Sequence, residues 1–242
     1  PTMKRRCAVL LAAAMLLSFA GCANKDTQGD SSEPAGEQTT EERTTEPQTN
    51  EDGSLVKPKN AVSVSDDVKI KTYSGTSLIE IGNRVMEPYG NAYKNMKAYA
   101  DALNRLKAEM PDTKAYCLMA PTAIEFYAPS KYNTGVSKSQ YEGMCYIYEQ
   151  LKDITPVNAY AEMAAHTDEY LYFRSDHHWT TLGAYYAYRT FAKVAGFTPV
   201  DKNTLQTGKL SPFLGLFYKD TKSTALSNDP DYVEYFIPPV NT

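Results

Sequence analysis

A chain of 242 residues and 26.9 kDa, 42% hydrophobic and 22% charged, is long enough to bury one sizeable core, and its composition excludes a collagen, a coiled coil or a wholly disordered polymer. The net charge of −4 is unevenly spread: Lys4, Arg5 and Arg6 meet no acid before Gly21, two bases face nine acids from Cys22 to Ser54, and the remainder is balanced. A neutral body behind an acidic segment gives phosphate backbones nothing to bind, so nucleic acid is excluded as a partner.

Residues 1–22 read as an export signal with a lipid-attachment site. Met3-Lys4-Arg5-Arg6 is a positive leading segment, and Cys7 to Ala20 is an apolar run too short to span a bilayer comfortably. It closes on Phe19-Ala20-Gly21-Cys22, which resembles a bacterial lipobox and implies that Cys22 carries diacylglycerol; an ordinary secretory signal is the alternative. Residues 23–60 are nearly free of large apolar side chains. Such a segment buries too little surface to offset the entropy of ordering, so a disordered acidic tether is expected.

The folded domain is expected over residues 61–242. Val62–Val64, Val68–Ile70 and Leu78–Ile81 predict short strands, with turns at Asp66-Asp67 and Ser74-Gly75. From Asn91 to Met110, apolar Met96, Tyr99, Ala100, Leu103, Leu106 and Met110 recur every three or four residues, predicting a helix stopped by Pro111. The unbroken apolar run Ala115–Ala120 predicts a central strand. Helices are expected over Ser139–Leu151, Tyr160–His166 and Thr180–Ala195, the last capped by Gly196, with strands near Pro156–Asn158 and at Tyr170–Phe173. This alternation predicts an α/β fold with a mostly parallel sheet flanked by helices.

In such sheets the chemistry sits at the carboxyl ends of the strands. Pro121-Thr122 follows one apolar run, and Arg174-Ser175-Asp176-His177-His178-Trp179-Thr180 follows another, bringing two of the three histidines and the sole tryptophan together. In an extended stretch Asp176 and His178 face the same way and His177 faces away. A carboxylate-oriented imidazole is what a general base for a serine nucleophile requires.

Asp176-His177-His178-Trp179, followed by Thr180-Thr181-Leu182-Gly183-Ala184-Tyr185-Tyr186-Ala187-Tyr188, resembles the signature of the DHHW proteins. The resemblance extends more loosely to Gly82-Asn83-Arg84, Met119-Ala120-Pro121-Thr122 and Phe213-Leu214-Gly215-Leu216-Phe217-Tyr218. That family is similar in turn to SGNH-like O-acetyltransferases of alginate and wall polysaccharides, in which an Asp-x-His pair precedes the nucleophilic serine. The resemblance implies an SGNH-hydrolase-like fold, incomplete at the carboxyl end of this chain. It also implies that Asp176 orients His178, that His178 activates a serine lying beyond Thr242, and that a separate membrane protein could supply the acyl donor.

Other readings compete with this one. Gly75-Thr76-Ser77-Leu78 mimics the serine block of ordinary SGNH esterases but falls in a predicted hairpin turn. Asp176, His177, His178 and His166 could hold a metal, yet adjacent histidines on a strand diverge, so neither a metal nor a cofactor is expected. Arg174, Trp179 and Thr122 are candidate substrate contacts; Arg174 could equally pair with a carboxylate, and Trp179 could lock the motif. Cys117 and Cys145 read as core residues, and Tyr185, Tyr186 and Tyr188 as helix packing or a sugar surface. The sequence therefore points to an extracytoplasmic, membrane-anchored lipoprotein that transfers or cleaves acyl groups on a cell-wall or exopolysaccharide. A non-catalytic glycan-binding or scaffolding lipoprotein is the alternative.

Overall fold

The computed structural model describes residues 57–90, 92–133 and 139–238. The export signal, Cys22 and the tether up to residue 56 lie outside the described residues, as does Asn91.

The described chain opens on a small antiparallel sheet of β1 (Ile70–Thr72), β2 (Ile79–Ile81) and β3 (Arg84–Met86), in that order. The Ser74-Gly75 turn joins the first two, and Gly82-Asn83 is a tight two-residue turn in which Gly82 takes φ 62°, a conformation that disfavours a side chain. Of the three expected strands only Leu78–Ile81 forms nearly as read. Val62–Val64 lies outside any ladder, and Val68–Ile70 contributes only its last residue.

Helix α1 (Tyr93–Ala108) ends before Pro111, as the missing proline N–H requires. Its inner stripe is narrower than the periodicity suggests. Met96 and Ala100 pack on Ile147, whereas Tyr99, Leu106 and Met110 are exposed. β4 (Ala115–Leu118), α2 (Ala123–Tyr127), α3 (Gln140–Gln150), β5 (Ile154–Val157) and α4 (Ala159–Ala165) follow. Ser139 caps α3 by accepting from the Glu142 amide.

β4 and β5 pair in parallel, Ala115 opposite Ile154 and Leu118 opposite Val157, and form a sheet of only two strands. The expected mostly parallel sheet with a central Ala115–Ala120 strand is thus not what forms. An unbroken apolar run reports burial but not what supplies it. Here Cys117 is buried while Tyr116 is half-buried, its ring edge-on to Phe191 at 5.4 Å. Tyr170–Phe173 is likewise extended but makes only a single bridge, Tyr172 to Trp179.

Helix α5 (Thr181–Ala195) begins on Thr180, whose hydroxyl accepts from the Gly183 amide at 3.2 Å, and ends on Gly196 at φ 84°. Beyond it comes a hairpin that periodicity does not reveal, β6 (Gln206–Phe213) antiparallel to β7 (Asp231–Ile237), enclosing the short helices α6 (Leu216–Thr221) and α7 (Thr224–Asn228). The ladder slips between Leu210 and Phe213, where Pro212 has no N–H to donate.

The main core gathers Ile79, Met86, Ile124, Phe126, Tyr141, Tyr160, Met163, Leu171, Tyr172 and Tyr186 from the first sheet, α2 to α5 and the 170–173 segment. A second cluster joins Leu78 and Val85 to Phe217 and Leu226. No helix among the described residues is long and apolar enough to cross a membrane.

Candidate active site

The segment from Leu171 to Thr180 is a closed loop whose backbone groups are satisfied by several elements. The Thr180 amide donates to Leu171 O at 2.8 Å and the Phe173 amide to His178 O at 3.3 Å. The Arg84 guanidinium donates to the carbonyls of Tyr172 and Phe173 at 3.2 and 3.0 Å, and the Val85 amide to Arg174 O at 3.0 Å. Gly183 permits α5 to close on the loop, because a Cβ there would stand 2.4 Å from Leu171 O.

Beneath the loop lies Asp231, the first residue of β7 and 1% exposed. Its carboxylate accepts from the Tyr170 hydroxyl at 2.5 Å, the Arg174 amide and Nε at 2.9 Å each, and the Ser175 amide and hydroxyl at 2.8 and 2.5 Å. Burial works against the charge, but the bonds from Ser175, Tyr170 and Arg174 outweigh it and hold Asp231 below the usual carboxylate range. The Arg174 guanidinium is taken up by Asp231, Asp229 and Pro230 O.

Asp176 sits at the other end of this network. One carboxylate oxygen accepts from the Leu216 amide at 2.9 Å, and the other accepts from the His178 amide at 3.1 Å and approaches His178 Nδ1 to 2.6 Å. Burial again opposes ionisation, and the Leu216 and His178 amides with the imidazole overcome it, so the Asp176 pKa is lowered. An ionised Asp176 makes Nδ1–H the donor and leaves Nε2 as the basic nitrogen. The His178 side chain is 66% exposed, so that nitrogen is open to a reacting group. Gly215 makes the arrangement possible: a Cβ there would lie 2.4 Å from both Cβ and Oδ2 of Asp176.

His177 does not turn away, as an extended strand would require. The loop bends, its ring lies 3.9 Å from that of His178, and its Nδ1 is 3.5 Å from Asp176. Asp176, His177 and His178 hold their ligand-type atoms within 4.8 Å of one another, the one grouping among the described residues that could hold a metal, but the 2.6 Å contact is that of a hydrogen-bonded pair. His166 stands apart from it. Its Nδ1 is 2.6 Å from Glu169, its ring stacks on Tyr186, and its side chain is only 13% exposed, so it is not a surface residue.

Beside His177 opens a cleft of about 220 Å³ lined by Met86 to Gly90, Thr122 to Ile124, His177 and Phe217. Thr122 is on its rim, its hydroxyl accepting from Gln140 Nε2 at 2.7 Å. Trp179 is half-buried against the main core and its backbone bridges to Tyr172. Tyr185 and Tyr186 are core residues, Tyr188 is 40% exposed, and Cys117 and Cys145 are free thiols. Ser175 is fully buried and bonded to Asp231 and the Gly215 amide, so it is not free to act as a nucleophile, and Ser77 lies between β1 and β2.

Sequence reasoning missed Asp231, Asp229 and the Leu216 amide. The only trace was Phe213–Tyr218, a motif without a role until Gly215 is seen against Asp176.

The model of the family described as DHHW protein matches residues 46–242. A crystal structure of a DHHW family protein from Eubacterium siraeum is similar with a TM-score of 0.64 and 31% identity, over 71% of this chain and 57% of that one. The structure of Bacillus cereus PatB1 with a sulfonyl adduct is similar with a TM-score of 0.52 and 15% identity, over 71% and 58%. The O-acetyltransferase domain of Pseudomonas putida AlgJ is similar with a TM-score of 0.45 and 14% identity, over 71% and 66%. No curated protein matches. The chain spans 57% of the length of the Eubacterium siraeum relative, and the likeness to PatB1 is one of fold.

Proposed function

Because the chain belongs to the DHHW protein family, and because His178 Nδ1 stands 2.6 Å from a carboxylate held by the Leu216 amide, we propose that the protein transfers or hydrolyses acyl groups with His178 as general base. The observation that carries the reading is the Asp176–His178 pair itself, on a His178 side chain that is 66% exposed. The nucleophile we assign to a serine following Thr242. Its hydroxyl oxygen attacks the acyl carbonyl carbon while its proton passes to Nε2. The leaving alcohol takes that proton as the ester bond breaks; a sugar hydroxyl or water then attacks the acyl-serine, giving its own proton to Nε2, which returns it to the serine oxygen as the acyl–serine bond breaks. Asp176 stabilises the imidazolium formed at each step.

The same proposal places the protein outside the cytoplasm, tethered by lipid on Cys22, acting on a cell-envelope polysaccharide with acyl groups passed from a membrane protein. The lipobox-like Phe19-Ala20-Gly21-Cys22 and the polar composition of residues 23–60 support it, since an anchored polar segment would let the domain reach into a wall. In the full-length protein, His178→Ala is expected to abolish turnover of p-nitrophenyl acetate with the circular dichroism spectrum unchanged; undiminished turnover would remove the assignment.

A further inference from the structure

We propose that the cleft beside His177 is an acyl-chain subsite that takes a straight chain of medium length rather than a sugar ring or only a two-carbon acetyl group; this rests on the acyl-transfer reading of the same site. The floor consists of Met86, Ala123, Ile124 and Phe217, all buried and all apolar. A pyranose needs donors and acceptors for its hydroxyls, and a floor without them would leave those hydroxyls unpaired. The charged and hydroxyl-bearing side chains are Glu87, Thr122 and His177, all exposed at the rim, and the half-buried Tyr89; Thr122 is already bonded to Gln140 and His177 lies against the base. That order places the carbonyl end at the histidines and the hydrocarbon inward. The cleft's volume of about 220 Å³ is many times the roughly 10–15 Å³ that admits one water, which leaves room for a chain well beyond a two-carbon acetyl group.

The position of the cleft adds to its chemistry. Phe217, one wall, lies 5.9 Å from His177 and directly follows Leu216, whose amide holds Asp176. One short helix, α6, therefore supplies both the cleft wall and the carboxylate's hydrogen bond.

The test measures binding without requiring turnover. N-methyl amides of acetic, butyric, hexanoic and octanoic acids are titrated calorimetrically into the full-length protein, wild type and with Ala123→Leu or Gly90→Leu. The first variant fills the floor, and the second adds a rim side chain where a Cβ meets nothing within 4 Å, so a folding defect in one leaves the other. Affinity is expected to rise about fourfold per added methylene up to the octanoyl chain, and the ladder to flatten in the variants. Equal affinity across the series, or a ladder unchanged in both variants, overturns the proposal. A ladder in a protein that cleaves no ester would keep the subsite and remove the transfer reading, while turnover of acetyl esters without a ladder would do the reverse.

Discussion

Asp231 and Gly215 decide the geometry of the dyad without belonging to it. Asp231 accepts from three residues at once, so Asp231→Asn should cost about 3 kcal/mol at neutral pH, the scale of breaking a buried ionic network. Its folded pKa is lowered, so the stabilisation is complete above the ordinary value of 3.8 and is lost as pH falls through the lower folded value. Urea melts at pH 7 and pH 3 should therefore show the gap between wild type and variant narrowing in acid; a gap that widens would contradict the assignment. Gly215→Ala presses a methyl group onto Asp176, and turnover should fall at least tenfold for a stability loss of about 1–3 kcal/mol. The downfield His178 Nδ1–H proton resonance should shift or vanish with it. Asp176 and His178 were legible as a pair from their spacing, whereas Asp231 was not, because nothing at sequence distance marks which carboxylate will fold under a loop.

At the level of elements, the caps followed from local chemistry and the strand partners did not. The Thr180 hydroxyl on the Gly183 amide and Gly196 at φ 84° bound α5 where the residues alone place them. Thr180→Ala should lower stability by about 1 kcal/mol, read as a lower urea midpoint, and should also loosen the loop through the lost bond to Tyr170 O at 2.6 Å. A Thr180→Ser protein should recover most of both. Tyr170–Phe173, by contrast, has the composition of a strand, yet the Tyr172 and Phe173 carbonyls are taken by the Arg84 side chain, those of Tyr170 and Leu171 by Thr180, and the Phe173 amide by His178 O of the returning loop. The alternation that predicted His177 facing away failed for the same reason: period two holds only where a ladder keeps the backbone extended.

For the described body as a whole, the site is a junction of distant segments. Gly82-Asn83-Arg84 turns β2 into β3, sends Asn83 to Asp229 at 2.9 Å and Arg84 to the loop carbonyls, while β7 supplies Asp231 and α6 the Leu216 amide. Amides of residues 171–180 and of β7 should therefore exchange with deuterium as one cooperative unit in native-state measurements, and Asp231→Ala should uncouple them; independent exchange in the wild type would argue against the junction. The sequence by itself determined helices α1, α3, α4 and α5, the bounds of α5, the Ser74-Gly75 turn, the family and the Asp176–His178 pair, because each depends on residues within a few positions of one another. Tertiary structure alone decided that the sheets are small, that β4 is not central, that His177 stacks on His178 beside an apolar cleft, and that Asp231 anchors the loop. Those outcomes depend on which of many compatible surfaces and hydrogen-bonding groups meet in the folded chain, and local propensity carries no record of that choice.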